Sequence, residues 1–234
     1  MEYWKSTSKQ LHFEVFGKCG FEDGTLVEIS GPSNSGKSLV MQKLIAHCLA
    51  PYKYGGRQWS VALISLSHKV NTESLEEAVR VELRDWTGSG LEDVPTEAEQ
   101  AEISKECARK VKFINCFSTE DVINSLRQAK WSHVAGQNIE LIALDTLSEF
   151  YWLDFRTKKE KLSKYRYYKQ WQTRLGQACK DAFVCGMYTV DSSFLENRYG
   201  DSGLTMKINY SVKLTKNRGK HTLNGKPISF KDNV

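Results

Sequence analysis

Short continuous apolar runs alternate along this chain with stretches in which apolar residues recur every three or four positions. The runs are Leu26 to Ile29, Trp59 to Leu66, Ile139 to Asp145 and Phe183 to Val190, and a further strand is expected at Val111 to Asn115. Largely apolar runs of that length are the mark of strands buried on both faces. Between them, Leu39-Val40, Leu44-Ile45 and Cys48-Leu49 follow helical spacing, and Pro51 with Tyr54-Gly55-Gly56 ends that helix. Asn71 is placed to cap a helix with Leu75, Val79, Leu83 and Trp86 on one face. A Gly- and Glu-rich loop over 87–100 leads to a polar helix that ends near Lys110. Ser118-Thr119-Glu120-Asp121 is a capping box opening a helix to about Trp131, and 160–181 is a further helix. Strands at Ile208 to Leu214 and Ile228 to Phe230 follow, with turn chemistry at Asn217-Arg218-Gly219 and Asn224-Gly225. The alternation predicts an α/β fold: a mostly parallel central sheet flanked by helices, closed by an antiparallel C-terminal hairpin. Residues 1–18 form a short N-terminal segment, a strand or helix packing on the core edge, and 19–234 form the core domain. An exposed edge with Leu11, Phe13, Val15 and Phe16 is a candidate partner contact, with packing on the chain's own sheet as the alternative.

Composition adds three constraints. At 234 residues, 40% hydrophobic and 26% charged, the chain has ordinary globular usage and can bury a full core. No apolar run approaches the ~18 residues of a membrane span, and the N-terminus has no signal-peptide pattern. The six cysteines show no paired spacing, so they are expected as reduced, mostly buried thiols of a cytosolic or nuclear protein. The net charge of +5 is uneven: residues 1–153 balance to −5 and residues 154–234 to +10. A basic C-terminal third suits a polyanionic partner such as nucleic acid.

The chemistry centres on Gly31-Pro32-Ser33-Asn34-Ser35-Gly36-Lys37-Ser38, followed by Leu39, a complete G-x-x-x-x-G-K-[ST] phosphate loop between a strand and a helix. Glycines let successive amides turn inward on phosphate oxygens, and the helix N-terminus adds a partial positive charge. Lys37 is placed to reach the β- and γ-phosphates of ATP, and the Ser38 hydroxyl to ligate Mg²⁺. The apolar run ending in Asp145-Thr146 supplies a carboxylate at a strand's C-terminal end, where it would join Ser38 at the metal.

The run CGFEDGTLVEISGPSNSGKS, with Gly20, Gly24 and Glu28, resembles the signature of RecA-family recombinases. The tail YSVKLTKNRGKHTLNGKPISF resembles that family's penultimate hairpin, and Ala143 to Asp154 (ALDTLSEFYWLD) resembles the LDSLSAFYWID run of a eukaryotic paralogue. The HCLAPYKYGG segment (47–56) fits the same member. The likeness covers most of 17–230 and implies a RecA-like P-loop ATPase core. It further implies an accessory recombinase paralogue in the nucleus, acting in homologous-recombination DNA repair. Such a protein pairs with another paralogue and acts on the main recombinase's filament on single-stranded DNA.

Two departures shape the functional expectation. Active members place a water-orienting Glu just after the second strand; here Ser67 stands there, and Glu73, the next acid, falls in the following helix. The γ-phosphate-sensing Gln is matched by about Thr189. Amides, lysine and metal still hold phosphate, whereas the lost proton transfer is worth ~10²–10⁴-fold in rate. ATP binding with poor or no hydrolysis is therefore expected, and no residue is assigned a catalytic role. The alternatives are an active DNA-dependent ATPase and a structural subunit with a vestigial site. Eighteen residues are too few for the family's N-terminal helical domain, so long self-filaments are not expected.

Residues 154–180 carry nine Lys/Arg against Asp154 and Glu160, interleaved with Tyr165, Tyr167, Tyr168 and Trp171. Cations that neutralise phosphates beside rings that stack on bases suit single-stranded DNA. The loop-end cations Arg156, Lys158, Lys159, Lys161, Lys164 and Arg166 are the candidate DNA contacts, where by resemblance the family's first DNA-binding loop begins. Tyr168, Trp171 and Leu175 stand at helical spacing and are expected in the core.

Overall fold

The structure, a computed structural model, describes residues 4–5, 8–17, 24–87, 95–134, 138–201 and 206–229. Its strands are β1 (Trp4–Lys5), β2 (Leu26–Gly31), β3 (Val61–Ser65), β4 (Val111–Asn115), β5 (Leu141–Asp145), β6 (Cys185–Asp191), β7 (Tyr210–Asn217), β8 (Lys220–Leu223) and β9 (Lys226–Ser229). They form one sheet in the order β1-β9-β8-β7-β2-β6-β5-β3-β4. From β7 to β4 every neighbouring pair is parallel, and β7, β8 and β9 are joined antiparallel. The central strands β2, β3 and β5 are buried along their whole length, as their apolar runs require. This is the architecture of a RecA-like core.

Helices cover both faces. On one, α1 (Ser8–Phe16), α2 (Lys37–Leu49), α3 (Thr72–Thr87) and α4 (Glu97–Arg109) close over Val27, Ile29, Leu63, Leu141 and Met187. On the other, α5 (Thr119–Val134), α6 (Tyr151–Thr157) and α7 (Lys164–Ala182) close over Leu26, Ile64, Leu144, Tyr188 and Val190. Parallel strands need such crossovers, and the layering puts the C-terminal ends of the parallel strands β2 to β7 on one edge.

Several boundaries move. Asn71 does cap α3, accepting the Ser74 amide at 2.8 Å, with Leu75, Val79 and Leu83 buried. The Ser118 hydroxyl accepts the Asp121 amide at 3.2 Å at the start of α5. The predicted helix over 160–181 starts later, at Lys164, because Ser163 is its cap and accepts the Arg166 amide at 3.1 Å. Phe183 is not in β6: it ends α7 in the left-handed region and is 85% exposed. The closing hairpin is a three-stranded meander, since Lys220–Leu223 pairs with both neighbours. Arg218-Gly219 and Asn224-Gly225 have positive φ at both central positions, the turn shape that matches strand twist. The N-terminal segment folds onto its own core: Leu11 and Phe16 are buried, Val15 packs against the same cluster, and Phe13 stays exposed. That arrangement removes Leu11 and Phe16 from the candidate partner edge. Cys19 and Gly20 of the signature, 88–94 of the Gly- and Glu-rich loop, and Phe230 lie outside the described residues, as do the side chains of Trp86 and Trp131.

Candidate functional site

β2 delivers the chain to the sheet's C-terminal edge, where Asn34 and Gly36 take left-handed backbone angles, φ 57° and 94°, and α2 begins at Lys37. Gly36 is a cap without a side chain, so the first amides of α2 have no partner one turn earlier. Gly31 has no room for a side chain: a Cβ there would lie 2.6 Å from Ser35 Oγ and 2.7 Å from the Leu214 carbonyl oxygen. The Ser35 hydroxyl is buried with no hydrogen-bond partner. Lys37 Nζ donates to the carbonyls of Gly31 (3.0 Å) and Pro32 (2.8 Å), folding over the loop. Burial lowers the Lys37 pKa, Asp191 and Asp145 oppose that shift, and the charge of Lys69 reinforces it. A cleft of about 440 Å³ opens here, lined by the loop residues Ser33 to Leu39 and, across from them, by Ser67, Lys69, Thr146, Ser148, Glu149 and Asp191.

The sequence-predicted residues Ser38 and Asp145 meet: Ser38 Oγ donates to Asp145 Oδ1 at 3.1 Å. Asp145 is fully buried and accepts two more hydroxyls, Ser67 Oγ at 2.7 Å and Thr189 Oγ1 at 2.6 Å. Thr189 also stands 2.5 Å from Thr146 Oγ1. Both positions at which the sequence departs from active recombinases thus turn their hydroxyls onto this one carboxylate. Among the described residues, no group of three or more His, Cys, Asp and Glu side chains is arranged to hold a metal. The cradle nevertheless suits a phosphate chain: unpaired first-turn amides, an orphaned Ser35 hydroxyl, a lysine, and a hydroxyl–carboxylate pair for a hard cation. Glu73 lies in the first turn of α3 and is not among the residues lining the cleft.

Three further residues at the site belong to neither the phosphate loop nor the Ser38–Asp145 pair. Glu149, exposed on the loop after β5, lines the cleft with its carboxylate in no ion pair among the described residues. Lys69 lines the same wall. His221, on β8, has Nδ1 3.2 Å from the Ser35 carbonyl oxygen. Only pairing of β7 beside β2 and of β8 beside β7 brings that ring to the phosphate loop, so no local sequence pattern signals it.

The candidate DNA cations divide. Lys158 Nζ pairs with Asp154 (2.8 Å), a carboxylate that also accepts Thr119 Oγ1 at 2.7 Å. Lys161 Nζ donates to the Phe155 carbonyl and lies 5.3 Å over the Phe155 ring. Lys164 Nζ donates to Ser193 Oγ at 3.1 Å and sits over Trp152 and Phe194. Arg156, Lys159 and Arg166 are exposed and make no ion pair among the described residues. Beside them Trp152 (58% exposed) and Phe155 (37%) present rings to solvent. Tyr167, Tyr168, Trp171 and Leu175 are buried, so α7's aromatic face belongs to the core.

No family model matches the chain. It is 24% identical to mouse (Mus musculus) DNA repair protein XRCC2 over 154 residues, covering 64% of this chain and 50% of the relative. It is 20% identical to the DNA repair protein XRCC2 homolog of Arabidopsis thaliana over 157 residues, covering 56% of this chain and 42% of that protein. The chain therefore spans about half the length of the curated relatives it matches. Fold, phosphate loop and these two likenesses together put the chain close to XRCC2, a paralogue within the RecA family.

Proposed function

We propose that this protein is an accessory paralogue in DNA repair by homologous recombination, one that holds ATP and hydrolyses it poorly or not at all. The repair role is supported by the two relatives, both named as DNA repair proteins. The observation that carries the nucleotide reading is the pairing of Ser67 with Asp145. Ser67 offers a hydroxyl, already donating to Asp145 at 2.7 Å, where active recombinases hold a carboxylate, so the position supplies no general base for water. The amides at the start of α2, Lys37 and Ser35 would hold the phosphates, and Ser38 and Asp145 would hold Mg²⁺, whose charge would offset that of the phosphates. The protein works in the nucleus, paired with another paralogue, on recombinase filaments over single-stranded DNA. Among the described residues no helix is long and apolar enough to cross a membrane.

Nucleotide titration and steady-state ATPase, each with and without single-stranded DNA, test this. The wild type binds ATP, Lys37→Ala loses at least about tenfold in affinity, and turnover stays near background in both. Equal binding by wild type and Lys37→Ala would instead mark the site as vestigial.

One observation favours a second reading, an active DNA-dependent ATPase: Glu149 brings an unpaired carboxylate to the cleft wall. If Glu149 orients water, DNA-stimulated turnover is measurable and falls by at least ~10²-fold in Glu149→Gln with nucleotide affinity kept. On the favoured reading, Glu149→Gln leaves an already negligible turnover unchanged.

A further inference from the structure

We propose, resting on the nucleotide-site reading above, that Lys69 is a second phosphate-binding cation, serving the terminal phosphate of a nucleoside triphosphate from the wall opposite Lys37. Lys37 and Ser38 occupy the loop side of the cleft, and the ends of β3 and β5 build the facing wall. A phosphate chain bound along the α2 amides presents its last phosphate to that wall. Among the described residues, Lys69 is the only lysine or arginine lining it.

The segment that carries Lys69 is fixed on both sides. The amides of Leu66 and Ser67 donate to the Asp145 carbonyl at 2.6 Å and 3.1 Å. The His68 amide donates to Ser65 Oγ at 3.1 Å, with His68 itself in the left-handed region at φ 54°. Non-glycine residues rarely adopt that conformation, so the chain turns sharply just before Lys69. The His68 ring stacks on Phe117, centroids 4.8 Å apart and planes 26° apart. On the other side Val70 is buried in the core. Lys69 is thus an exposed, flexible side chain on a backbone tied down at 68 and 70.

Lys69 forms no ion pair among the described residues, although Glu149 lines the same cleft. It instead lines the same cleft as Lys37, whose Nζ is held on the loop by the Gly31 and Pro32 carbonyls. Two amines converging on one cleft repel each other until an anion lies between them. A γ-phosphate relieves the repulsion, and a diphosphate, ending one group earlier, relieves less of it. The substitution at position 67 and the cation two residues later act in the same sense: one withdraws a negative charge from beside the terminal phosphate, the other adds a positive one. The site is thereby built to retain triphosphate.

Fluorescently labelled ATP and ADP, titrated onto the full chain with Mg²⁺, test the assignment through binding alone. In Lys69→Ala the ATP affinity falls about tenfold and the ADP affinity by less than about threefold, so preference for triphosphate shrinks. Lys69→Arg keeps most of that preference. Because Lys69 is exposed, far-ultraviolet circular dichroism of Lys69→Ala matches wild type. An unchanged ATP affinity in Lys69→Ala, or equal losses for ATP and ADP, overturns the inference while a loss in Lys37→Ala leaves the nucleotide site standing. Wild-type protein that binds neither nucleotide overturns both.

Discussion

Glu28 occupies the middle of β2, a strand otherwise buried and nearly all apolar, and is itself 4% exposed. Two phenols satisfy one of its oxygens: Tyr168 donates at 2.6 Å and Tyr188 at 2.7 Å. Burial first, then the Glu28 charge, pushes both phenol pKa values far up, so they remain donors throughout the working pH range. The signature glutamate is therefore a strut between the central strand and α7, outside the reacting chemistry. Removing one donor, Tyr168→Phe or Tyr188→Phe, should destabilise by about 1 kcal/mol, and the double variant by about 3 kcal/mol or more, since a buried carboxylate is then stranded. Urea unfolding checks both values and their non-additivity. At this scale the sequence was most legible where a motif names atoms: Lys37, Ser38 and Asp145 come together as the spacing predicts. His221 is illegible for the opposite reason, because only strand order places it at the cleft, while Lys69 and Glu149 follow β3 and β5 closely but fit no phosphate-binding pattern.

At the scale of elements, the strands of the parallel core were legible because burial on both faces leaves unbroken apolar runs. The missed elements are those whose patterns are too short or too polar. β8 is four residues, KHTL, with one buried side chain, and α6 is seven residues in which aromatics mask the periodicity. α1 carries an unexpected feature. His12 is buried with Nε2 unpartnered, its ring 4.0 Å from that of His47, which pairs with Glu82 of α3 at 2.5 Å. Burial, then the charges of His47 and Arg57, bring the His12 pKa down from 6.5 to about 3. Above pH 6.5 neither the folded nor the unfolded chain protonates this ring. Between that value and about pH 3 the unfolded chain takes a proton that the folded chain refuses. Stability should therefore fall as pH drops through this window, by up to about 1.4 kcal/mol per unit. Urea midpoints at pH 7.5 and 5.5 measure the loss, and His12→Phe should flatten the part that His12 contributes.

Across the whole molecule, the acidic first two-thirds and basic last third seen in the sequence map onto one fold in which the cations at the α6–α7 connection are unequal. Lys158, Lys161 and Lys164 are committed to internal partners, which leaves Arg156, Lys159 and Arg166 for a polyanion. Removing the charge of these three should weaken single-stranded DNA binding and flatten its salt dependence by about 0.7 log–log units for each phosphate no longer neutralised. The matching change at Lys158, Lys161 and Lys164 should lower thermal stability more than affinity. An unchanged slope in the first triple variant would exclude this face from DNA binding. The strand order of the sheet has a last implication, for shortened forms of the protein. β7 lies beside β2, and the ring from β8 rests on the Ser35 carbonyl, so the nucleotide cradle is buttressed by strands that come late in the polypeptide. A premature stop codon between positions 192 and 210 leaves the phosphate loop and Asp145 intact yet strips away that buttress, and such an allele should fail to retain nucleotide.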